Sequence, residues 1–152
     1  MEYTHILNSE GDTERLAGCV ALGCTGGLSI GLCGDLGAGK TTLVRFLIGA
    51  LGGNEQQVSS PSFALENEYK LTGGLSVEHW DLYRLRDLPA ELLEPPGRDV
   101  IRIVEWPDRV SGYAQSLDVV LSIGVQDTGA RVVTFSGSES DRFAGLVAKR
   151  QS

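Results

Sequence analysis

Apolar and polar positions along the chain switch repeatedly between a period near two and a period near 3.6. Tyr3–Leu7 predicts a short edge strand. Ser9 or Asp12 can then cap a helix reaching about Leu22, with Leu16, Cys19 and Val20 recurring on one face. Leu28–Cys33 is a short apolar run between glycines, the pattern of a buried strand. Lys40–Leu51 repeats Leu43, Phe46, Leu47 and Ala50 at helical spacing and stops at Gly52-Gly53, where glycine can close a helix C-terminus. Phe63–Leu71 and Leu75–Trp80 flank Gly73-Gly74 and predict a hairpin. A short helix is expected near Leu88-Pro89, ended by Pro95-Pro96-Gly97. Val100–Val104 is a β-rich run that closes on Glu105. Leu117–Val125 and Ala130–Phe135 flank Asp127-Thr128-Gly129 as a second hairpin, and Ser138 or Ser140 can cap a last helix ending near Lys149. Strands and helices mix throughout without an internal repeat, so the class is α/β, and two hairpins predict a mixed sheet. A length of 152 residues suits one domain spanning 1–152.

Charge and composition narrow this picture. Leu16 to Gly34 carries no charge and is long enough for a membrane span, but Gly26-Gly27 breaks it, and we read a helix followed by a buried strand. The formal net charge is −7, from 13 Lys and Arg against 20 Asp and Glu, which argues against a chain that grips nucleic-acid phosphates by itself. The three cysteines, Cys19, Cys24 and Cys33, form no C-x-x-C pair and read as core fillers in a reducing compartment. The two histidines, His5 and His79, do not complete a zinc site with them. No basic segment followed by an apolar run opens the chain, and the expected location is the cytoplasm. Glycine stands at 20 positions, about twice the usual share, so glycines serve something besides loops.

One place where they serve is explicit. Gly34-Asp35-Leu36-Gly37-Ala38-Gly39-Lys40-Thr41 matches G-x-x-x-x-G-K-[ST], and it lies between an expected strand and an expected helix, the context this motif requires. Its glycines allow a tight turn whose N–H groups converge on an anion, and the following helix adds its positive end. Lys40 is expected as a surface group on this cradle, reaching the β- and γ-phosphates, with the Thr41 hydroxyl on Mg²⁺ and Thr42 beside it. A carboxylate must complete such a site. Two runs end in one: Val100–Glu105, and Val77-Glu78-His79-Trp80-Asp81. Either acid could hold the metal or its waters, or orient an attacking water. His79 itself reads as a hydrogen-bonded strand residue. No Asn-Lys-x-Asp reads guanine, so adenine is favoured.

Four segments in order then resemble one family: the Gly34–Thr42 loop, Ser60-Pro61-Ser62-Phe63, His79-Trp80-Asp81-Leu82-Tyr83-Arg84, and Glu105-Trp106-Pro107. Together, over about Ser9 to Val110, they are similar to the TsaE family of small P-loop ATPases in bacterial tRNA threonylcarbamoyladenosine biosynthesis. The resemblance implies a P-loop NTPase-like three-layer fold with a mixed sheet. It also implies ATP and Mg²⁺ as cofactors, ATP hydrolysis, and work alongside a TsaD–TsaB complex that itself holds the tRNA. It places Thr41, Glu105 and Asp81 at the metal, and Ser60 and Ser62 in a switch-like loop near the γ-phosphate. Lys40, Asp81, Glu105 and Trp106 become the candidates for catalysis, and Glu10 and Thr13 line the adenine end. Ser62 stands where the family usually has threonine, Trp80 where it has phenylalanine, and Pro95-Pro96 are atypical. Nothing transfers beyond Val110. A nucleotide-state switch with incidental hydrolysis and a small P-loop phosphotransferase remain as alternatives. The charge makes one expectation measurable: the isolated chain should bind tRNA weakly and with little specificity. Tight, salt-sensitive binding in a filter assay would contradict it.

Overall fold

Seven strands pair into one mixed sheet, and which face each side chain joins follows from strand alternation. The computed structural model describes residues 3–61 and 65–151, with side chains through Lys149. In chain order the elements are β1 (Tyr3–Leu7), α1 (Glu10–Gly23), β2 (Ser29–Gly34), α2 (Lys40–Ala50), β3 (Glu66–Lys70), β4 (Ser76–Asp81), β5 (Val100–Glu105), β6 (Val119–Val125), β7 (Arg131–Ser136) and α3 (Ser140–Gln151). The spatial order is β1-β7-β6-β2-β5-β4-β3. The four inner strands β4, β5, β2 and β6 run parallel, while β3, β7 and β1 join antiparallel at the two edges. Both expected hairpins are present, as β3–β4 and β6–β7.

The parallel strands are buried on both faces, which is why they read as continuous apolar runs. One face (Ile30, Leu32, Val77, Ile101, Ile103, Val119 and Leu121) packs under the three helices. The other face buries Trp80, Val104 and Val120 with Leu92, Tyr113 and Leu117. This third layer consists of loops and single 3₁₀ turns rather than long helices. The helix expected near Leu88-Pro89 is one such turn, Ala90–Leu93. Pro95 and Pro96, which lack N–H donors, follow it closely. The layer is instead pinned by the buried Arg102, whose guanidinium donates to Glu78 at 3.0 Å and to the carbonyls of Glu94 and Glu91 at 2.6 and 3.3 Å.

The helix ends follow from local chemistry. Ser9 caps α1 by accepting from the Asp12 N–H at 3.1 Å, and Asp12 accepts in return from the Asn8 N–H at 2.8 Å. Gly53 closes α2 by donating to the Ile48 carbonyl at 2.8 Å. The buried stripe of α2 is Leu43, Val44, Leu47 and Ile48 together with Lys40. Phe46 is half-buried and Ala50 exposed, contrary to the sequence expectation, because the helix is turned to present its 40–44–48 side to the sheet. Among the described residues, no helix is long and apolar enough to cross a membrane. The run from Leu16 to Gly34 is divided between α1 and β2. Cys19 is buried, and burial pushes the Cys24 and Cys33 thiols up to about 12 and about 11, as befits packing groups.

The last helix is anchored by Phe143, which is fully buried against α1 beside Gly23. Phe143→Ala should therefore cost about 3–5 kcal/mol, read as a lowered urea midpoint at unchanged slope.

Candidate functional site

The candidate residues meet because three parallel strands end at one level. In an open α/β sheet, ligands collect beyond the carboxyl ends of such strands. The register pairs Asp81 with Glu105 and Glu105 with Leu32, so both acids lie beside the point where β2 runs into the glycine loop. Within that loop Ala38 N–H bonds the Asp35 carbonyl at 3.0 Å, and Gly39 enters α2 at φ +107, a conformation that favours glycine. At Gly34 the constraint is space: a Cβ there would lie 2.7 Å from the Ile123 carbonyl of β6.

Lys40 departs from the expectation of a surface group. It is only 5% exposed. Its ammonium lies 4.3 Å from the Trp106 ring centroid and donates to the Gly34 and Asp35 carbonyls at 2.5 and 3.0 Å. Burial pulls its pKa below the usual lysine value, against the opposing pull of Glu105, Asp81 and Asp35. Trp106 can form this cover because it turns out of β5 into the left-handed region, at φ 60 and ψ 44. For a bulky residue that conformation costs on the order of 1–2 kcal/mol. Offsetting contacts come from the Tyr83 ring at 4.7 Å and from the Arg109 guanidinium stacked over Tyr83.

Both acids are buried rather than solvated. Asp81 is 4% exposed and accepts from the Tyr83 N–H at 2.8 Å, a local turn bond that orients its carboxylate. Glu105 is 3% exposed, and its Oε2 accepts from Thr41 Oγ1 at 3.5 Å and from His79 Nε2 at 2.5 Å. Lys40, Thr41, Thr42, Ser60, Asp81, Glu105 and Trp106 line one cavity of about 290 Å³ with Leu36, Gly37 and Gly39. Glu10 and Thr13 do not reach it. They line a neighbouring hollow of about 180 Å³ with Ala38, Gly39 and Thr42. Gly34 and Asp35 form the base of the loop, and Ser62 lies outside the described residues.

Sequence reasoning missed Arg131 at the start of β7. It borders both cavities and donates to the loop carbonyls of Ala38 at 2.7 Å and Gly37 at 3.4 Å. No sequence signal marks it, since a lone arginine beginning a strand is ordinary. Tyr69 was missed as well. Its hydroxyl reaches His79 Nδ1 at 3.2 Å from the edge strand β3, a contact made by strand pairing alone.

A parallel-cored mixed sheet with this loop at the ends of its strands defines a P-loop NTPase-like α/β protein. Across the whole chain it superposes on the crystal structure of Bacillus subtilis YdiB with a TM-score of 0.72, at 22% identity and 97% coverage of that protein. The family model described as "Threonylcarbamoyl adenosine biosynthesis protein TsaE" matches residues 7–133, and the chain belongs to that family. The match runs past Val110 to include β6 and Arg131. A tRNA threonylcarbamoyladenosine biosynthesis protein TsaE of Aquifex aeolicus is 40% identical over 129 residues, covering 84% of this chain and 91% of the relative. The Haemophilus influenzae protein of the same name is 37% identical over 106 residues, covering 66% of this chain and 65% of its own length.

Arg131→Ala removes two bonds to the loop without opening the core. It should speed amide hydrogen exchange of the Gly37–Lys40 segment about tenfold, and an unchanged rate would mean the loop holds itself.

Proposed function

We propose that this chain is a Mg²⁺-dependent ATP-binding and ATP-hydrolysing subunit. In this reading it works in the cytoplasm with a TsaD–TsaB complex in threonylcarbamoyladenosine modification of tRNA and meets the tRNA only through those partners. The family's place in that biosynthesis is the frame. The observation that carries the ATPase reading is the convergence of Lys40, the Thr41 hydroxyl, Asp81 and Glu105 on one cavity beside a glycine loop.

The residues present fit Mg²⁺ and a triphosphate. The close approach at Gly34 and the positive φ of Gly39 give a cradle that side chains would spoil. Among the described residues no three His, Cys, Asp or Glu side chains cluster as a metal cage. A hydroxyl and one or two carboxylates suit an ion that keeps several waters and bonds phosphate oxygens. Bound there, Mg²⁺ would neutralise charge developing on the phosphates. Thr41 with Glu105 or Asp81 would hold it. Lys40 would exchange the Gly34 and Asp35 carbonyls for phosphate oxygens, and Trp106 would keep water from that ammonium. Glu10 and Thr13 would line the adenine end, a reading supported by the hollow they border beside the cradle. The −7 net charge supports leaving tRNA to the partners.

A nucleotide-state switch is the second reading, favoured by one observation: Lys40 donates to the Gly34 and Asp35 carbonyls of its own loop, so phosphate would compete with the loop for that ammonium. ATP turnover measured with and without TsaD–TsaB separates the two. Turnover that the complex leaves unchanged and trivial supports the switch.

Lys40→Ala should abolish tight ATP binding in a folded protein. Glu105→Gln should raise the barrier by about 2–4 kcal/mol while nucleotide contacts to loop amides persist. Turnover against Mg²⁺ concentration for Glu105→Gln and Asp81→Asn apportions the two acids. Wild-type turnover and Mg²⁺ affinity in Glu105→Gln would transfer the metal role to Asp81.

A further inference from the structure

A chain of hydrogen bonds leads away from Glu105 on the side opposite the cradle loop. His79 is fully buried, and its two ring nitrogens face different partners: Glu105 Oε2 at 2.5 Å and the Tyr69 hydroxyl at 3.2 Å. Tyr69, itself buried, stands next to Ser59, whose N–H is 3.4 Å from the phenol oxygen. Asn67 Nδ2 lies 3.5 Å from the same oxygen and 3.3 Å from the Ser59 carbonyl. Ser60, the next residue, lines the cavity that holds Glu105.

A carboxylate oxygen only accepts, so His79 Nε2 donates to Glu105. Nδ1 faces the Tyr69 hydroxyl at 3.2 Å, and that hydroxyl also lies 3.3 Å from the Ser59 carbonyl. The phenol oxygen in turn accepts from the Ser59 N–H and from Asn67. Both bonds to Glu105, from His79 and from Thr41, fall on Oε2, so they fix one carboxylate oxygen and thereby the direction of the other.

We infer that Tyr69 and His79 are positioning residues: they hold the Glu105 carboxylate in its working orientation and tie it to the backbone at Ser59, beside Ser60 on the cavity wall. The inference deepens the ATPase reading of the same site and rests on it for its kinetic consequences. Its geometric content stands apart from catalysis. A buried carboxylate needs partners, and apolar residues at 69 and 79 would leave Glu105 underpaired at the one place where its direction matters.

The test begins with the purified full-length chain without nucleotide. The protein has only two histidines, so ¹⁵N side-chain spectra resolve His5 from His79. His79 should show a slowly exchanging, strongly downfield Nε2 proton that moves upfield in Glu105→Gln. Tyr69→Phe keeps the ring and its packing. It should shift the Nδ1 resonance and lower kcat about three- to tenfold at unchanged KM for ATP. In the Glu105→Gln background the same change should cost nothing further, since an orienting bond without its carboxylate has no task. His79→Gln, whose amide can donate where Nε2 does, should retain more kcat than His79→Asn at similar melting temperature.

A freely exchanging His79 Nε2 proton would overturn the inference even if every variant failed to fold. So would losses from Tyr69→Phe and Glu105→Gln that simply multiply. A wild-type chain that neither binds nor hydrolyses ATP would sink the nucleotide reading instead, while the Nε2 proton measurement still judges the positioning of Glu105.

Discussion

The parallel pairing of β4, β5 and β2 is the constraint on which the rest of the structure depends. Parallel strands end at one level, and their register sets Asp81 against Glu105 and both beside the entrance to the glycine loop. A slip of one residue would turn Asp81 or Glu105 to the opposite face. It would also turn Val77, Ile101 and Ile103 out of the helix-side core. Core packing and site geometry are thus specified by the same alternation, and neither can drift without the other.

The electrostatics follow from that placement. Lys40, Asp81 and Glu105 are all buried within one end of the sheet, in a medium where unpaired charge is costly. Each has local partners: loop carbonyls and an indole face for Lys40, a backbone N–H for Asp81, a hydroxyl and an imidazole for Glu105. The left-handed turn at Trp106 is best understood in these terms. It swings the indole over the ammonium at the cost of backbone strain, and Tyr83 and Arg109 hold it there. Strain of this kind concentrates where function needs a conformation that folding alone would not choose.

The two faces of the sheet are built differently. The helix side is a continuous apolar core joined by α3 through Phe143. The opposite side is thinner, and Arg102 cross-ties its loops through Glu78 and two backbone carbonyls. Its apolar contacts, around Trp80, Leu92 and Tyr113, are supplemented by these polar bonds. Arg131 performs a similar service at the site, joining the β6–β7 hairpin to the cradle across the sheet end.

By itself the sequence determined the elements and the chemistry carried on contiguous residues. Period-two and period-3.6 patterns placed the strands and helices, glycine and proline marked their ends, and the Gly34–Thr41 loop declared an anion cradle. These are local properties, set by neighbours along the chain. Strand order and the rotation of α2 were decided only by tertiary structure, and that rotation buried Lys40 and left Ala50 in water. So were the contacts of Arg131, Tyr69 and His79, whose partners lie 93, 10 and 26 residues away. The physical reason is that such contacts arise from which strand lies beside which, a choice made by burying the whole apolar surface at once. No single residue type announces that choice in advance.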